Sequence, residues 1–240
     1  MKLHELTVAE EAARCLLCYD APCSKVCPAA SEPASFIMSV RFGNSVGASR
    51  RAVQSNLFSG VCAAACPSDK YCAGACIRGK IDRPVDIRLL HGYVAQMAAK
   101  NGLLPEKSNT LAGTRVLILG GSLAGLSAAA ELAVNGAAVT VCADSWLCGF
   151  DVELWDTTLE SLRQLGVKFV DSVQPNTSDF DSVVAADKKS LAAFERTGTS
   201  KAAVLFTGEL VPGPDDAAYS VKKGRDAARR VTLAVKGAAQ

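Results

Sequence analysis

Histidine is nearly absent from this 240-residue chain, which carries only His4 and His91. Neither falls in a Ser-His-Asp or Cys-His arrangement, so general-base chemistry by histidine is not expected. Charge of one sign is lacking too. Against 26 Lys and Arg stand 24 Asp and Glu, a formal net charge of +2. A chain so nearly neutral offers little field to gather nucleic acid or an anionic membrane surface, and neither is expected as a partner. No apolar run reaches the length of a membrane span, because Glu131 and Asn135 interrupt the longest. The opening stretch MKLHELTVAEEAARC is charged and lacks an apolar signal region, so no secretion signal and a cytoplasmic location are expected.

Cysteine, by contrast, is abundant. Of ten, eight fall between Cys15 and Cys76. In a small secreted chain that density would mean disulfides. Here, with no signal, a reduced compartment and cysteines used as metal ligands are expected. The first stretch, CLLCYDAPCSKVCP, holds Cys15, Cys18, Cys23 and Cys27 with spacing C-x2-C-x4-C-x3-C-P. The second, CAAACPSDKYCAGAC, holds Cys62, Cys66, Cys72 and Cys76. Zinc needs four ligands at one tetrahedral point, which C-x2-C pairs supply. A four-iron cluster needs four thiolates around a larger body, and a run ending in Cys-Pro typically sends its last cysteine to a second cluster. The Cys-Pro after three close cysteines favours iron–sulfur over zinc.

The pattern changes near residue 105. Residues 1 to about 102 read as helical. TVAE at 7–10 is a capping box, opening a helix that carries Cys15 and Cys18 near its end. Pro33 and Pro84 each suit a first helical turn. Ile87, Leu90, Val94 and Met97 recur at helical spacing, with Gly102 as the stop. GLLPEKSNTLAG at 102–113 reads as a linker. Beyond it, strands are expected at 115–119, 137–142, 167–170 and 202–207. Helices are expected from the first strand to about Asn135, around Trp155, Leu159 and Leu162, and over 216–236. The stretch from Gln174 to Lys201 is polar and weakly patterned. Alternating strands and helices imply a parallel sheet with helices on both faces.

The turn out of the first of these strands, ILGGSLAGLSAAAEL, resembles a dinucleotide loop, G-x-G-x-x-G, with Gly120 and Gly125 in the outer positions and Ser122 in the middle one. A Cβ and hydroxyl at Ser122 take room where a pyrophosphate approaches the backbone, although the hydroxyl can donate a hydrogen bond. Cys142 and Cys148 do not have a redox spacing. Lys222-Lys223 and Arg229-Arg230 read as a solvated helix face.

The segments RCLLCYDAPCSKVCPA, VCAAACPSDKYCAGAC and RPVDIRLLHGYV follow the order and spacing of a known family. The first hundred residues resemble the iron–sulfur domain of the dihydropyrimidine dehydrogenases, including the flavin-bearing subunit of the bacterial NAD-dependent enzymes, and of the glutamate synthase small subunit. The resemblance implies two 4Fe–4S clusters with interleaved ligands. Cys15, Cys18, Cys23 and Cys76 would hold one. Cys27, Cys66 and Cys72 would hold the other, with His91 standing where dihydropyrimidine dehydrogenase uses a glutamine as fourth ligand. Cys62 matches a family cysteine that is not a ligand. Imidazole is a competent iron ligand, while a lone histidine flanking an apolar helix face is ordinarily a packed core residue.

RVLILGGSLAGLSAAAELAVNGAAVTV and VLFTGELVPGPDDAAYSVKKGRDAA resemble the FAD-binding domain of the same family. Its second glycine-rich loop, which binds NAD(P)H, has no counterpart here, so hydride uptake from a nicotinamide is not expected. The FAD contacts implied are Gly120, Gly121, Ser122, Ala124, Gly125, Asp144, Gly208 and Glu209. Ala143 stands where an acid is expected at the end of the second strand, with Asp144 next to it, and Gly208-Glu209 replaces the family's Gly-Asp.

The expected fold is therefore α plus α/β. A helical iron–sulfur domain at 1–104 precedes a reduced Rossmann-like, FAD-type parallel-sheet domain at 112–240, shortened relative to complete members. The expected function is an iron–sulfur electron-transfer subunit of an oxidoreductase complex, holding two 4Fe–4S clusters and FAD weakly or not at all. Its expected partner is a catalytic oxidoreductase subunit or another redox protein. The rival expectation is a non-catalytic assembly or regulatory protein with structural clusters or zinc and no flavin. A truncated product without retained function is the third.

Overall fold

The computed structural model describes residues 5–146, 152–171, 179–195 and 203–238. They divide into two units, Met1–Pro105 with Asp216–Ala218, and Glu106–Asp215 with Tyr219–Gln240.

Helices α1 (Glu5–Ala13), α2 (Pro22–Lys25), α3 (Pro33–Arg41), α4 (Ser45–Ser55), α5 (Ser59–Ala65) and α6 (Ile87–Lys100) build the first unit. Their apolar faces meet in a core that includes Val8, Phe36, Ile37, Leu90 and Val94. Pro33 sits in the first turn of α3, as expected, where its missing N–H costs nothing. Gly102, with φ +58°, follows the end of α6 as its stop. Two expectations at helix starts are corrected. The chain is already helical at Glu5, so Thr7 lies inside α1 rather than capping it. Pro84 lies outside α6, which is capped instead by Asp86, whose carboxylate accepts from the Leu89 N–H at 3.0 Å.

A third correction matters for chemistry. α1 ends at Ala13, so Cys15 and Cys18 lie on the loop beyond it. Leu17 there takes the left-handed conformation, φ 53°, and turns the chain between the two cysteines. Arg14, at the start of that loop, is bonded to Glu11. Buried at 6% exposure, Glu11 accepts hydrogen bonds from Arg83 (2.6 Å), Arg14 (2.6 Å) and the Asp86 N–H (2.7 Å). Burial alone would raise its pKa, but these donors outweigh that and hold it low. The end of α1 is thereby tied to the segment leading into α6.

The second unit is a parallel sheet flanked by helices. Its strands are β1 (Arg115–Gly121), β2 (Ala138–Trp146), β3 (Lys168–Asp171), β4 (Ser182–Ala185) and β5 (Ala203–Phe206). Among the described residues they lie in the order β3-β2-β1-β4-β5, every pairing parallel. Helices α7 (Leu123–Val134), α8 (Val152–Gln164), α9 (Lys188–Glu195) and α10 (Ala217–Ala238) complete it. The α plus α/β reading holds. Val116 to Leu119 are all buried, as both covered faces of a parallel sheet require.

β4 and α9 fall in the stretch that carries little pattern in the sequence. β4 is four residues long and wholly buried between β1 and β5. Strand order reverses beside it, with β2 and β3 to one side of β1 and β4 and β5 to the other. The crevice at such a switch point is where open α/β sheets bind ligands. Lys223, read as part of a solvated face, is instead buried at 6% exposure.

α10 packs against α7 through Gly224. A Cβ there would stand 2.2 Å from the Ala124 carbonyl oxygen and 2.7 Å from Ser127 Cβ. Gly224→Ala is accordingly expected to destabilise the second unit by about 1–3 kcal/mol through overpacking, seen as a lower melting temperature in circular dichroism. An unchanged melt would show that the two helices are not held this closely.

Candidate functional site

Four cysteines from distant parts of the chain line one pocket in the first unit: Cys15, Cys18, Cys23 and Cys76. The left-handed Leu17 brings the first two round. Pro22 starts α2 just before Cys23, and Cys76 precedes the 3₁₀ turn at Ile77–Lys80. Burial raises the pKa of Cys15, and so do the charges of Cys18 and Cys76. Burial likewise raises that of Cys23, helped by Cys15 and Cys76. Arg41 offsets part of this at Cys15, and its guanidinium also donates to the Cys15 carbonyl.

The remaining cysteines of the first unit, Cys62, Cys66 and Cys72, each feel the charge of Cys27. Burial pushes Cys66 up to about 11 and Cys72 up to about 12, and raises Cys62 further still. Cys62 lies on α5 and Cys66 caps its C-terminus in extended conformation, its N–H donating to the Cys62 carbonyl at 3.0 Å. The Asn56 amide donates to Cys62 Sγ (3.4 Å) and to Ser31 Oγ (2.9 Å). From α6, Arg88 donates to the carbonyls of Ala63 (2.9 Å) and Ala64 (3.0 Å), which fixes the end of α5 against the helix bearing His91. Arg88 also offsets part of the negative charge at Cys66.

His91 is buried and stacks on Phe36, ring centroids 4.9 Å apart and planes 19° from parallel. Its Nε2 is buried without a hydrogen-bond partner. Burial lowers its pKa to about 4. The ring is therefore neutral at ordinary pH and keeps a lone pair, the form that binds metals.

All nine cysteines among the described residues are free. Cys148 lies outside the described residues. Also among them, no three His, Cys, Asp or Glu side chains close on a point that would hold a single ion. Cys15, Cys18, Cys23 and Cys76 line a pocket instead. That donor set fits a cluster, which needs thiolates round a body of its own size, better than zinc, which needs ligands at one point.

In the second unit the glycine-rich turn lies at the switch point. Gly120 has φ +107°, and Gly121 ends β1, paired with Trp146 of β2 after an irregularity in the ladder. Ser122 is the N-cap of α7, its Oγ accepting from the Gly125 N–H at 3.2 Å. Ala124 is buried. A Cβ on Gly125 would meet the Gly120 carbonyl oxygen at 2.6 Å, so this glycine serves close packing of helix on strand. Gly208, φ +61°, comes to the same place. A Cβ on it would lie 2.3 Å from the Ala186 carbonyl oxygen and 3.3 Å from Ser122 Oγ. Glu209 is engaged elsewhere, its carboxylate accepting from the Lys188 N–H at 2.6 Å at the start of α9. Asp144 lies on β2, with its side chain outside the described residues.

One residue at this turn is not signalled by any motif. Asp187, just after β4, aims its carboxylate at the backbone of Gly120. A Cβ on Gly120 would stand 1.9 Å from Asp187 Oδ2.

Comparison with known proteins follows this division. Residues 1–103 match the family described as dihydropyrimidine dehydrogenase domain II, 4Fe-4S cluster. Residues 115–189 match the pyridine nucleotide-disulphide oxidoreductase family, a flavoprotein-type domain. Over 136 residues the chain is 39% identical to the NAD-dependent dihydropyrimidine dehydrogenase subunit PreT of Escherichia coli K12. It is 38% identical to the PreT of Salmonella typhimurium LT2 over the same length. Each match covers 57% of this chain and 33% of the relative. AegA of Escherichia coli K12 is 34% identical over 133 residues, 55% of this chain and 20% of that protein. The chain thus spans about a third of the length of its PreT relatives. Its first 103 residues are similar to the 4Fe-4S domain of dihydropyrimidine dehydrogenase, and residues 115–189 to the pyridine nucleotide-disulphide oxidoreductases.

Proposed function

We propose that the chain is an electron-transfer subunit of an oxidoreductase complex in the cytoplasm, with two 4Fe–4S clusters in a domain at residues 1–104 and a Rossmann-like domain at 112–240. The observation that carries this reading is the gathering of its cysteines into two groups. Cys76, from the second stretch, lines a pocket with Cys15, Cys18 and Cys23 from the first. Cys27, from the first, neighbours Cys66 and Cys72 from the second. On this reading Cys15, Cys18, Cys23 and Cys76 ligate one cluster, and Cys27, Cys66, Cys72 and His91 the other.

Such clusters, when bound, pass single electrons, at potentials set by ligand type, net charge and hydrogen bonding. The protein's part is to hold the thiolates and offset their charge. Arg41 stands by the first group and Arg88 by the second. Cys15, Cys23, Cys72 and Cys76 are partly buried by packing on the helical core. A neutral His91 in place of an anionic ligand leaves the second site one negative charge lighter, which favours its reduced form. The partner is a catalytic oxidoreductase subunit, a reading supported by the PreT relatives being named as dehydrogenase subunits. FAD takes no step in this scheme, because the residues at the Gly120 turn do not fit its diphosphate. Ser122 Oγ occupies the Gly125 N–H, and Asp187 sets a carboxylate against Gly120.

Anaerobically purified protein should give two electron paramagnetic resonance signals after dithionite reduction. Cys18→Ser is expected to remove one of them and about half of the iron, as loss of one of two four-iron clusters requires. Full retention of iron would overturn the ligand assignment. His91→Ala should shift or abolish the other signal and leave the first untouched. An unchanged spectrum would make His91 a core residue.

A further inference from the structure

The crevice at the head of β1 and β4 has the outline of a nucleotide site, and its charge is wrong for one. Dinucleotide loops work because backbone N–H groups at a helix N-terminus face the pyrophosphate with nothing negative nearby. Here the glycine of the tight turn, Gly120, which leads into the loop a pyrophosphate would approach, has its open side taken by a carboxylate oxygen of Asp187, 1.9 Å from the point a Cβ would occupy. Asp187 is half-buried. It is fixed by position as well, since it follows the buried strand β4 and begins the turn into α9, whose Leu191 N–H bonds the Asp187 carbonyl at 3.1 Å.

The surroundings close the same spot. Ser122 Oγ takes the Gly125 N–H, a donor such a loop would otherwise present to an anion. Gly208 stands beside Ser122 and Ala186. Glu209, the other acid nearby in sequence, is occupied at the start of α9. The space by Gly120 is therefore bounded by an oxygen that repels phosphate both by charge and by bulk.

We propose that Asp187 is a specificity-determining residue which bars diphosphate ligands, FAD and NAD among them, from the nucleotide crevice of the second unit. The inference rests on that unit's geometry alone and stands whether or not the cluster assignment does. It means that any flavin which exchanges electrons with this chain is carried by another protein.

The test uses the full chain, purified anaerobically, with FAD and ADP as probes. Bound FAD is quantified after acid denaturation, and ADP binding is measured by isothermal titration calorimetry. Wild type is expected to retain no FAD and to show no saturable ADP binding into the millimolar range. Ser122→Gly, which opens the loop but leaves the carboxylate, should behave alike. Asp187→Asn, which removes the charge and keeps the size, and Asp187→Ala, which removes both, should each bind ADP at least about tenfold more tightly than wild type, the change expected when a like charge in near contact is deleted. Circular dichroism and iron content establish that each variant is folded, and the near-isosteric Asp187→Asn carries the test if Asp187→Ala does not fold. Near-stoichiometric FAD in wild type would overturn the proposal. So would folded Asp187→Asn protein that gains no ADP affinity, or Ser122→Gly protein that gains it all.

Discussion

The first unit holds several of its cysteines where burial penalises their ionisation. Desolvation raises the pKa of every buried cysteine there, to about 11 at Cys66 and about 12 at Cys72. Left alone, such groups stay protonated. Only a positive centre of comparable size makes their ionisation favourable. The neighbouring cations each supply a fraction of this, as Arg41 does at Cys15 and Arg88 at Cys66. The helices, the left-handed Leu17 and the Glu11 anchor all serve to bring thiols from two separate stretches within reach of one another. Metal binding in such a framework is also folding energy.

The second unit keeps the architecture of a nucleotide-binding sheet while its switch point has been refitted. Gly120 and Gly125 retain the roles of tight turn and close helix–strand approach. Ser122, Asp187 and Glu209 have instead been drawn into the protein's own hydrogen bonding and packing. A sheet of this kind can be kept for its rigidity alone, since fold does not dictate ligand. On the proposed reading the redox chemistry lies in the helical unit.

Much of this was legible in the residues. The helical periodicity of Ile87, Leu90 and Val94 and the buried run of β1 led to the helical unit and the parallel sheet, and the cysteine spacings to the proposed cluster sites. The grouping of Cys76 with Cys15, Cys18 and Cys23 is not encoded in spacing; it came from a family resemblance and depends on tertiary folding. β4 escaped because its four residues lie among acids and lysines, with no alternation to mark them. Asp187 escaped with it, since a charge after an unrecognised strand reads as a solvated loop residue. Pro84 was misleading for a simpler reason. An aspartate cap two residues on satisfies the helix N–H groups better than proline can, and the helix begins there.

The most direct test of the two-cluster framework is elemental analysis of the anaerobically purified chain for iron, acid-labile sulfide and zinc. Two four-iron clusters predict about eight iron and about eight sulfide per chain, with no stoichiometric zinc. Stoichiometric zinc without sulfide, or iron at about half that value, would contradict the account.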